Sequence, residues 1–323
     1  MLLRRASWAV LAMTGATATS GPAATTTAAT TTEPVLRVHE LSVRYPVAGH
    51  WLQAVDAVSF TIARGETLGM VGESGSGKST IAQALLRLVP ASGGEVWFRG
   101  ADLLRLERRA LRDTREHIQI IFQDPLAALD PRMTVGELIS EPLKEHRPAL
   151  ARAARLERVV SMMERVGLKR SHLDSYPHEF SGGQAQRIGV ARALMLEPAL
   201  LVCDEPLSAL DVSIRAQVAM LLKDLQRELD LAILFITHDL SSVRFSCDRV
   251  LVLYLGRVME TAPRDAIFRA PRHHYTAALL QSVPIPDPAR ARARRAPPLG
   301  GEIPSPLAPP SGCVFRTRCP LAI

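Results

Sequence analysis

Apolar and polar residues alternate along two segments in the first fifth of the chain, at residues 35–43 and 55–62. A period of two places one face of a segment against a core and the other toward solvent, so the pattern predicts two half-buried strands. We expect both strands to belong to an antiparallel layer and the globular part of the chain to begin near residue 35.

Short apolar runs indicate a second, more deeply buried sheet. They lie at residues 67–71, 118–122, 200–203 and 232–237. Strands that are apolar on both faces are typical of parallel sheets covered by helices, and helical patterns lie between these runs. The sequence therefore predicts an α/β core, followed by a late hairpin of residues 249–255 and 257–260 around Gly256.

Three further segments complete the predicted organisation. Residues from about 125 to 196 have helical periodicity and interrupt the strand series, which predicts an inserted helical subdomain within a domain at 35–270. No internal repeat is present, so we expect one such domain. Frequent prolines at 271–323 predict a C-terminal tail that is not mainly regular structure.

Residues 1–34 combine Arg4, Arg5 and a short apolar run with a Thr/Ala-rich tract. Both a secretory signal and a disordered or misassigned leader fit this pattern. We favour the leader, because the apolar run is short and the tract offers little to bury.

Composition narrows the class of protein without choosing its function. Of 323 residues, 47% are apolar and 22% are charged, as in ordinary globular domains. The formal charge of +7 is compatible with nucleic acid, an anionic membrane or phosphate ligands. Four scattered cysteines favour a reducing compartment. No run approaches the roughly 20 apolar residues of a membrane-spanning helix, so we expect any membrane role to be peripheral.

A phosphate-binding loop is predicted between the strand at 67–71 and a helix expected at about 79–88. The pattern G-x-x-x-x-G-K-S is filled by Gly72, Glu73, Ser74, Gly75, Ser76, Gly77, Lys78 and Ser79, with Thr80 next. Glycines let backbone N–H groups point at phosphates, and the helix N-terminus adds partial positive charge. We expect Lys78 to reach the β and γ phosphates and Ser79 to bind Mg²⁺, which predicts an ATP site.

Two acids follow the apolar run at 200–203. Asp204 is expected to bind Mg²⁺ beside the loop through water, because this ion prefers carboxylate oxygens. Glu205 is expected to be the catalytic base that polarises the water attacking the γ-phosphate. A solvated acidic pair before Pro206 is the alternative, and the buried strand ahead of the pair argues against it.

A second anion-binding helix N-terminus is predicted at Ser181, Gly182, Gly183 and Gln184, which open a helix that runs through Leu194. These residues resemble the signature motif of ATP-binding cassette (ABC) proteins, which contacts the γ-phosphate held by the opposite subunit. Because one chain cannot easily direct both helix N-termini at one phosphate, the motif implies an ATP-dependent, head-to-tail dimer. Taken alone, these residues could also form a simple Gly-rich helix cap.

The order of the remaining motifs is similar to the same family. By this resemblance, Gln123 contacts Mg²⁺ and relays the nucleotide state to the helical subdomain, and His238 contacts the γ-phosphate. Ser208 and Asp211 would belong to a loop at the dimer interface, and Tyr45 would stack on adenine. The alternatives are a structural hydrogen bond at His238 and a strand-edge position for Tyr45. The implied fold is a P-loop NTPase (RecA-like) core with an antiparallel β layer and an inserted helical subdomain.

Longer stretches resemble the ATPase subunits of dipeptide and oligopeptide importers, a group that includes some nickel transporters. They lie at residues 71–80, 122–135, 176–180, 274–276 and 304–320. The resemblance implies ATP hydrolysis that drives import of peptides or a related small solute. It also implies two transmembrane permeases, a second ABC ATPase (the same or related) and, indirectly, an external solute-binding protein. The implied location is peripheral, on the cytoplasmic face of the plasma membrane.

Some members of that group bind an iron–sulfur cluster through C-terminal cysteines. A full cluster takes about four thiolates. Only Cys313 and Cys319 lie in this tail. A truncated C-terminus or a lost cluster would each explain the small number of cysteines, and we predict no cluster.

Two other functions are alternatives to transport. A soluble ABC ATPase acting on nucleic acid would explain the positive charge, but long coiled coils and paired cassettes, which are usual in such proteins, do not occur in the sequence. We therefore expect no nucleic acid partner, and we interpret the arginines at 290, 292, 294 and 295 as a solvated linker. A kinase would leave the signature motif unexplained.

Overall fold

The computed structural model describes residues 33–283 and 300–322. The predicted leader at 1–34, apart from its last two residues, and the arginine run at 290–295 lie outside the described residues. The strands are β1 (Leu36–Val47), β2 (His50–Ile62), β3 (Thr67–Val71), β4 (Gly93–Phe98), β5 (Ala101–Asp102), β6 (Ile118–Ile121), β7 (Leu200–Asp204), β8 (Ala232–Thr237), β9 (Arg249–Tyr254) and β10 (Arg257–Pro263). The helices are α1 (Lys78–Leu85), α2 (Arg108–Arg115), α3 (Val135–His146), α4 (Arg152–Arg165), α5 (Gly182–Leu194), α6 (Val212–Leu229), α7 (Leu240–Ser246), α8 (Arg264–Arg269) and α9 (His274–Ser282).

The strands form two sheets, as the alternating segments and the apolar runs predict. The six-stranded sheet has the order β10-β9-β3-β8-β7-β6, and all neighbouring pairs in it are parallel except β9 with β10. The four-stranded sheet has the order β2-β1-β4-β5 and is antiparallel. The predicted α/β class with an antiparallel layer is confirmed.

The parallel strands are apolar on both faces because each face packs in a different core. In β8, Leu234 and Ile236 pack toward the antiparallel sheet and α1. The intervening Ile233 and Phe235 pack against the helices on the other side. This arrangement explains why these strands appear in the sequence as continuous apolar runs.

A helical subdomain is inserted between β6 and β7, which are neighbours in the sheet. It contains α3, α4 and α5, and its buried residues include Leu138, Met163 and Ile188. Thr134 begins α3 with a capping box, in which its hydroxyl accepts from the Glu137 N–H and the Glu137 carboxylate accepts from the Thr134 N–H.

Several boundaries differ from the predicted ones. Helix α1 begins at Lys78 and ends at Leu85, because the chain turns at Leu86 to Leu88. Strand β6 ends at Ile121, and Phe122 is exposed. The hairpin of β9 and β10 turns at Leu255 and Gly256, both with positive φ, and β10 extends to Pro263.

In its described part, the C-terminal tail contains a helix, α9, that its proline content does not predict. Residues 300–322 are otherwise irregular apart from a 3₁₀ turn at Arg316–Arg318, and Val314 and Phe315 are buried. Within the part of the chain that the structure describes, no helix combines the length and apolar content needed to cross a bilayer.

Candidate nucleotide-binding site

The phosphate-binding loop connects the carboxyl end of β3 to the N-terminus of α1, as predicted. Two of its glycines lie against backbone from other strands. A Cβ atom on Gly72 would lie 2.2 Å from the Leu253 carbonyl oxygen, and one on Gly77 would lie 2.4 Å from that of Ala54. Gly77 also has a φ of 101°, which side-chain-bearing residues rarely adopt. The glycines are therefore required for the loop to close over β2 and β9.

Lys78 places a buried cation beneath this loop. Its Nζ donates hydrogen bonds of 2.9 Å to the carbonyl oxygens of Gly72 and Glu73. Burial lowers the pKa of Lys78, while the charges of Glu205, Asp204 and Glu73 oppose that shift. The ammonium group is thus held at the position from which it can contact phosphate oxygens.

Ser79 and Asp204 lie together as a pair of oxygen donors. The Ser79 hydroxyl donates a hydrogen bond of 3.0 Å to Oδ1 of Asp204. Burial raises the pKa of Asp204, and the bond from Ser79 opposes that shift.

This pair fits Mg²⁺, which usually takes one or two protein oxygens together with phosphate oxygens and water. Among the described residues, no group of three or more His, Cys, Asp and Glu side chains could hold a metal ion by itself. A site that is completed by nucleotide phosphates needs no such group.

Three polar side chains meet at the carboxyl ends of the adjacent strands β6, β7 and β8. Oε2 of Glu205 accepts a hydrogen bond of 3.2 Å from Nε2 of Gln123 and lies 3.1 Å from Nδ1 of His238. Glu205 has a φ of 49°, and its N–H donates to the Ile236 carbonyl. Parallel strands bring their carboxyl ends to one sheet edge, which is why residues far apart in sequence converge here.

A cavity of about 660 Å³ lies over the loop and this sheet edge. It is lined by the predicted residues Tyr45, Glu73, Ser74, Gly75, Gly77, Lys78, Ser79, Thr80, Gln123, Glu205 and His238, and also by Leu52, Gln53, Ala54, Leu255 and Pro306. Gly72, Ser76 and Asp204 are buried and are not part of the lining. Half-buried Tyr45 pairs with Leu52 across β1 and β2, at the cavity wall.

The signature residues do not line this cavity. Ser181 begins α5 with a capping box, in which its hydroxyl accepts from the Gln184 N–H at 3.4 Å. Ser181, Gly182 and Gln184 are exposed, whereas Gly183 is buried against Ile214 of α6. Within one chain, the second helix N-terminus is therefore separate from the phosphate loop and open to solvent.

Ser208 and Asp211 lie in the segment between β7 and α6. The Ser208 hydroxyl donates to the Glu205 carbonyl at 3.0 Å, which ties this segment to the acidic pair. Asp211 is exposed and is the N-cap residue of α6. Neither residue lines the cavity.

The sequence did not reveal that the C-terminal tail reaches this site. The Tyr275 hydroxyl accepts a hydrogen bond from the Glu73 N–H, Arg318 is paired with the Glu73 carboxylate, and Pro306 lines the cavity. The stretches at 274–276 and 304–320 resemble those of the importer ATPases, but no local pattern in them predicted a contact with the nucleotide site. Cys313 and Cys319 are free in the structure, and the expectation of no iron–sulfur cluster stays a prediction.

Fold and site together define an ATP-binding cassette ATPase. Family models agree: one described as ABC transporter matches residues 55–208, and one described as oligopeptide/dipeptide transporter, C-terminal region, matches residues 259–323. The chain belongs to the ABC transporter family, as one of its ATP-hydrolysing subunits, and it carries the C-terminal region of the oligopeptide/dipeptide transporters.

Relatives in curated sequences are transport subunits. The oligopeptide transport ATP-binding protein OppF of Salmonella typhimurium is 56% identical over 271 residues, which are 84% of this chain and 81% of that protein. A putative peptide import ATP-binding protein of Brucella ovis is 53% identical over 293 residues, which are 91% of this chain and 92% of that protein. These relatives do not favour the alternative of an ATPase acting on nucleic acid.

Solved structures of similar fold are ABC cassettes. A dimeric structure of the ATP-binding cassette MJ0796 in a post-hydrolysis state, bound to ADP and Pi, has a TM-score of 0.66 and 28% identity. The match covers 71% of this chain and 98% of the MJ0796 chain. CbiO1 from Clostridium perfringens, part of the transporter complex cbiONQ, has a TM-score of 0.64 and 30% identity. The match covers 74% of this chain and 96% of the CbiO1 chain.

Proposed function

We propose that this chain binds and hydrolyses MgATP to drive an importer of peptides or a related small solute. The observation that carries the proposal is the convergence of Lys78, Ser79 and Glu205 on one cavity, in a chain whose relatives are oligopeptide transport ATP-binding proteins. The cavity holds a cation, a hydroxyl and a carboxylate at the end of a buried sheet, which is the set that phosphoryl transfer to water requires.

The proposed chemistry depends on residues of the loop and of the adjacent strand ends. Glu205 is the base that orients and polarises the attacking water, since its carboxylate lines the cavity within reach of Gln123 and His238. His238 is in position to contact the γ-phosphate, and backbone N–H groups of the loop bind the other phosphates. Ser79, Asp204 and Gln123 would hold Mg²⁺. When bound, this ion neutralises charge on the β and γ phosphate oxygens.

The adenine ring is assigned to the wall that contains Tyr45. Tyr45 and Leu52 present an aromatic and an aliphatic surface at the side of the cavity next to the phosphate loop. Stacking of a base on an aromatic face tolerates many geometries and needs no hydrogen bond.

The complete catalytic unit is a head-to-tail dimer. The exposed N-terminus of α5 carries Ser181 and Gly182 but contributes nothing to the cavity of its own chain. Two such chains related by a twofold axis place each signature against the other's nucleotide, with Ser208 and Asp211 at the interface. The second ATPase is a copy of this chain or a related one.

The membrane partners are two transmembrane permeases that dock on the helical subdomain. A cleft of about 520 Å³ runs between this subdomain and β6, and it is lined by Phe122 and by residues of α3 and α5. Phe122 is exposed there and directly precedes Gln123, so a partner in the cleft contacts the neighbour of the residue that is hydrogen-bonded to Glu205. In this proposal the chain is a peripheral subunit on the cytoplasmic face of the plasma membrane, and an external binding protein supplies the solute.

The test is purification of the full chain from its native membranes in mild detergent, followed by mass spectrometry of what accompanies it. We expect two polytopic permeases and an ABC ATPase partner, and ATP hydrolysis that increases when peptide-loaded binding protein is added to the reconstituted complex. Recovery of the chain with ribosomes or nucleic acid and without permeases would contradict the transport function but not the ATPase activity.

A further inference from the structure

The C-terminal tail packs directly against the back of the phosphate-binding loop. Tyr275 of α9, Phe315 of the irregular segment and Tyr254 of β9 are fully buried and in mutual contact, with ring centroids 4.7 to 5.5 Å apart. Buried aromatic groups of this size dominate the stability of such a contact. The tail is therefore part of the domain core at the position where β9 runs beside the loop.

Two tail residues bind one residue of the loop, Glu73. The guanidinium of Arg318 donates to both carboxylate oxygens of Glu73, at 2.7 and 3.1 Å, and its side chain is 5% exposed. The Tyr275 hydroxyl accepts a hydrogen bond of 3.0 Å from the Glu73 N–H. Arg318 also lies over the Tyr254 ring, 5.8 Å from its centroid. A bidentate ion pair of this kind, with a buried guanidinium and a half-buried carboxylate, fixes both partners in one geometry.

Glu73 creates an electrostatic problem for a phosphate site. Its side chain lines the same cavity as Lys78, and its charge acts on the Lys78 ammonium. A nucleotide brings several negative charges into this cavity, where low dielectric strengthens repulsion. An unpaired carboxylate at position 73 would therefore weaken nucleotide binding.

We propose that Arg318 is a positioning residue of the ATP site, which neutralises Glu73 and holds its carboxylate so that the loop accepts phosphate. The tail is then an integral part of the nucleotide site rather than an appended segment, and Pro306 extends it to the cavity lining. The proposal rests on the ATP-binding function proposed above and adds a charge pair that the phosphate-loop pattern does not contain.

The test is a double-mutant cycle on the purified full chain, with MgADP affinity measured by calorimetry. Arg318→Gln leaves Glu73 charged and unpaired beside the nucleotide, and we expect MgADP affinity to fall about tenfold or more through repulsion between the two negative charges. Glu73→Gln removes the repulsive charge, so loss of Arg318 should have little effect in that background. We expect the Glu73→Gln/Arg318→Gln double variant to bind within about threefold of the Glu73→Gln variant. Arg316→Gln is the matched control, because Arg316 is exposed in the same 3₁₀ turn; we expect its affinity to be unchanged.

A loss caused by Arg318→Gln only when Glu73 is charged identifies charge as the cause, since loss of tail packing would weaken binding in both backgrounds. Equal affinity of Arg318→Gln and the native chain, or a double variant that binds at least about tenfold more weakly than Glu73→Gln, would each overturn the proposal. If Arg318→Gln fails to fold, the comparison of the double variant with Glu73→Gln still tests the proposal. Absence of MgADP binding by the native chain would instead refute the nucleotide site on which the proposal rests.

Discussion

The Gln123 side-chain amide donates a hydrogen bond of 3.2 Å to Oε2 of Glu205. Gln123 lies in the segment that leads from β6 into the helical subdomain, and Glu205 follows β7 directly. A displacement of the helical subdomain therefore acts on the proposed base through one hydrogen bond. This contact provides a physical route by which permease docking and nucleotide hydrolysis could be coupled.

Glu205→Gln should separate nucleotide binding from hydrolysis. The amide retains the size of the side chain and its contacts with Gln123 and His238, but it cannot polarise water as a carboxylate does. We expect MgATP affinity within about threefold of the native chain and hydrolysis slower by at least about a hundredfold. Size-exclusion chromatography with MgATP should show a stable dimer. Turnover equal to that of the native chain would show that Glu205 is not the base.

Tyr45→Ala should weaken nucleotide binding without stopping hydrolysis at saturation. Tyr45 lines the cavity next to Leu52 and belongs to neither the phosphate loop nor the acidic pair, so its loss removes stacking surface. We expect affinity to fall roughly fivefold to tenfold, with kcat nearly unchanged. Tyr45→Phe keeps the aromatic face and should bind as the native chain does. If Tyr45→Ala binds MgATP normally, Tyr45 is a strand-edge residue and adenine lies elsewhere.

Phe122→Ser should impair assembly with the permeases while leaving the isolated ATPase intact. Phe122 is 39% exposed in the cleft below the helical subdomain. Trp97, on β4 of the antiparallel sheet, is equally exposed, so Trp97→Ser is a matched control on a different surface. We expect at least about a tenfold loss of permease recovery for Phe122→Ser and none for Trp97→Ser. Equal recovery of both variants would show that the cleft is not the docking site.

The sequence predicted the parts of the fold that local patterns encode. The strands β3, β6, β7 and β8 were found because each is a buried apolar run that ends in a polar or Gly-rich segment. The motifs on them converge because parallel strands share one carboxyl edge. Strands β4 and β5 and helix α2 were not predicted. Strand β5 has only two residues, and α2 buries no residue and has only Ala110 and Leu111 as apolar residues, too few for a periodic pattern.

Long-range pairing could not be predicted from these patterns. Arg318 and Glu73 are 245 residues apart, and each occupies a stretch in which charged residues are ordinary. Nothing local distinguishes Arg318 from Arg316 two residues earlier, although only Arg318 is buried against Glu73. The same limit applies to Pro306, which lies in a proline-rich tail and lines the nucleotide cavity through tertiary packing alone.

Two adjacent glycines of the signature motif should respond differently to alanine. A Cβ atom on Gly183 would lie 2.3 Å from Cγ2 of Ile214, so Gly183→Ala forces α5 away from α6. A Cβ atom on Gly182 would have ordinary contact, 3.7 Å from Cδ2 of Leu210, in an exposed position. Overpacking of this kind costs about 1–3 kcal/mol, and we expect Gly183→Ala to lower the midpoint of thermal unfolding.

Gly182→Ala should leave unfolding unchanged and instead reduce MgATP-driven dimerisation and hydrolysis, because the added methyl group occupies the surface proposed to face the opposite nucleotide. Ile214→Ala combined with Gly183→Ala should relieve the clash and recover part of the lost stability. Calorimetric unfolding and ATPase measurements on the three variants check both effects. If Gly182→Ala hydrolysed MgATP at the native rate, that result would falsify the proposed contact between the signature and the partner's nucleotide.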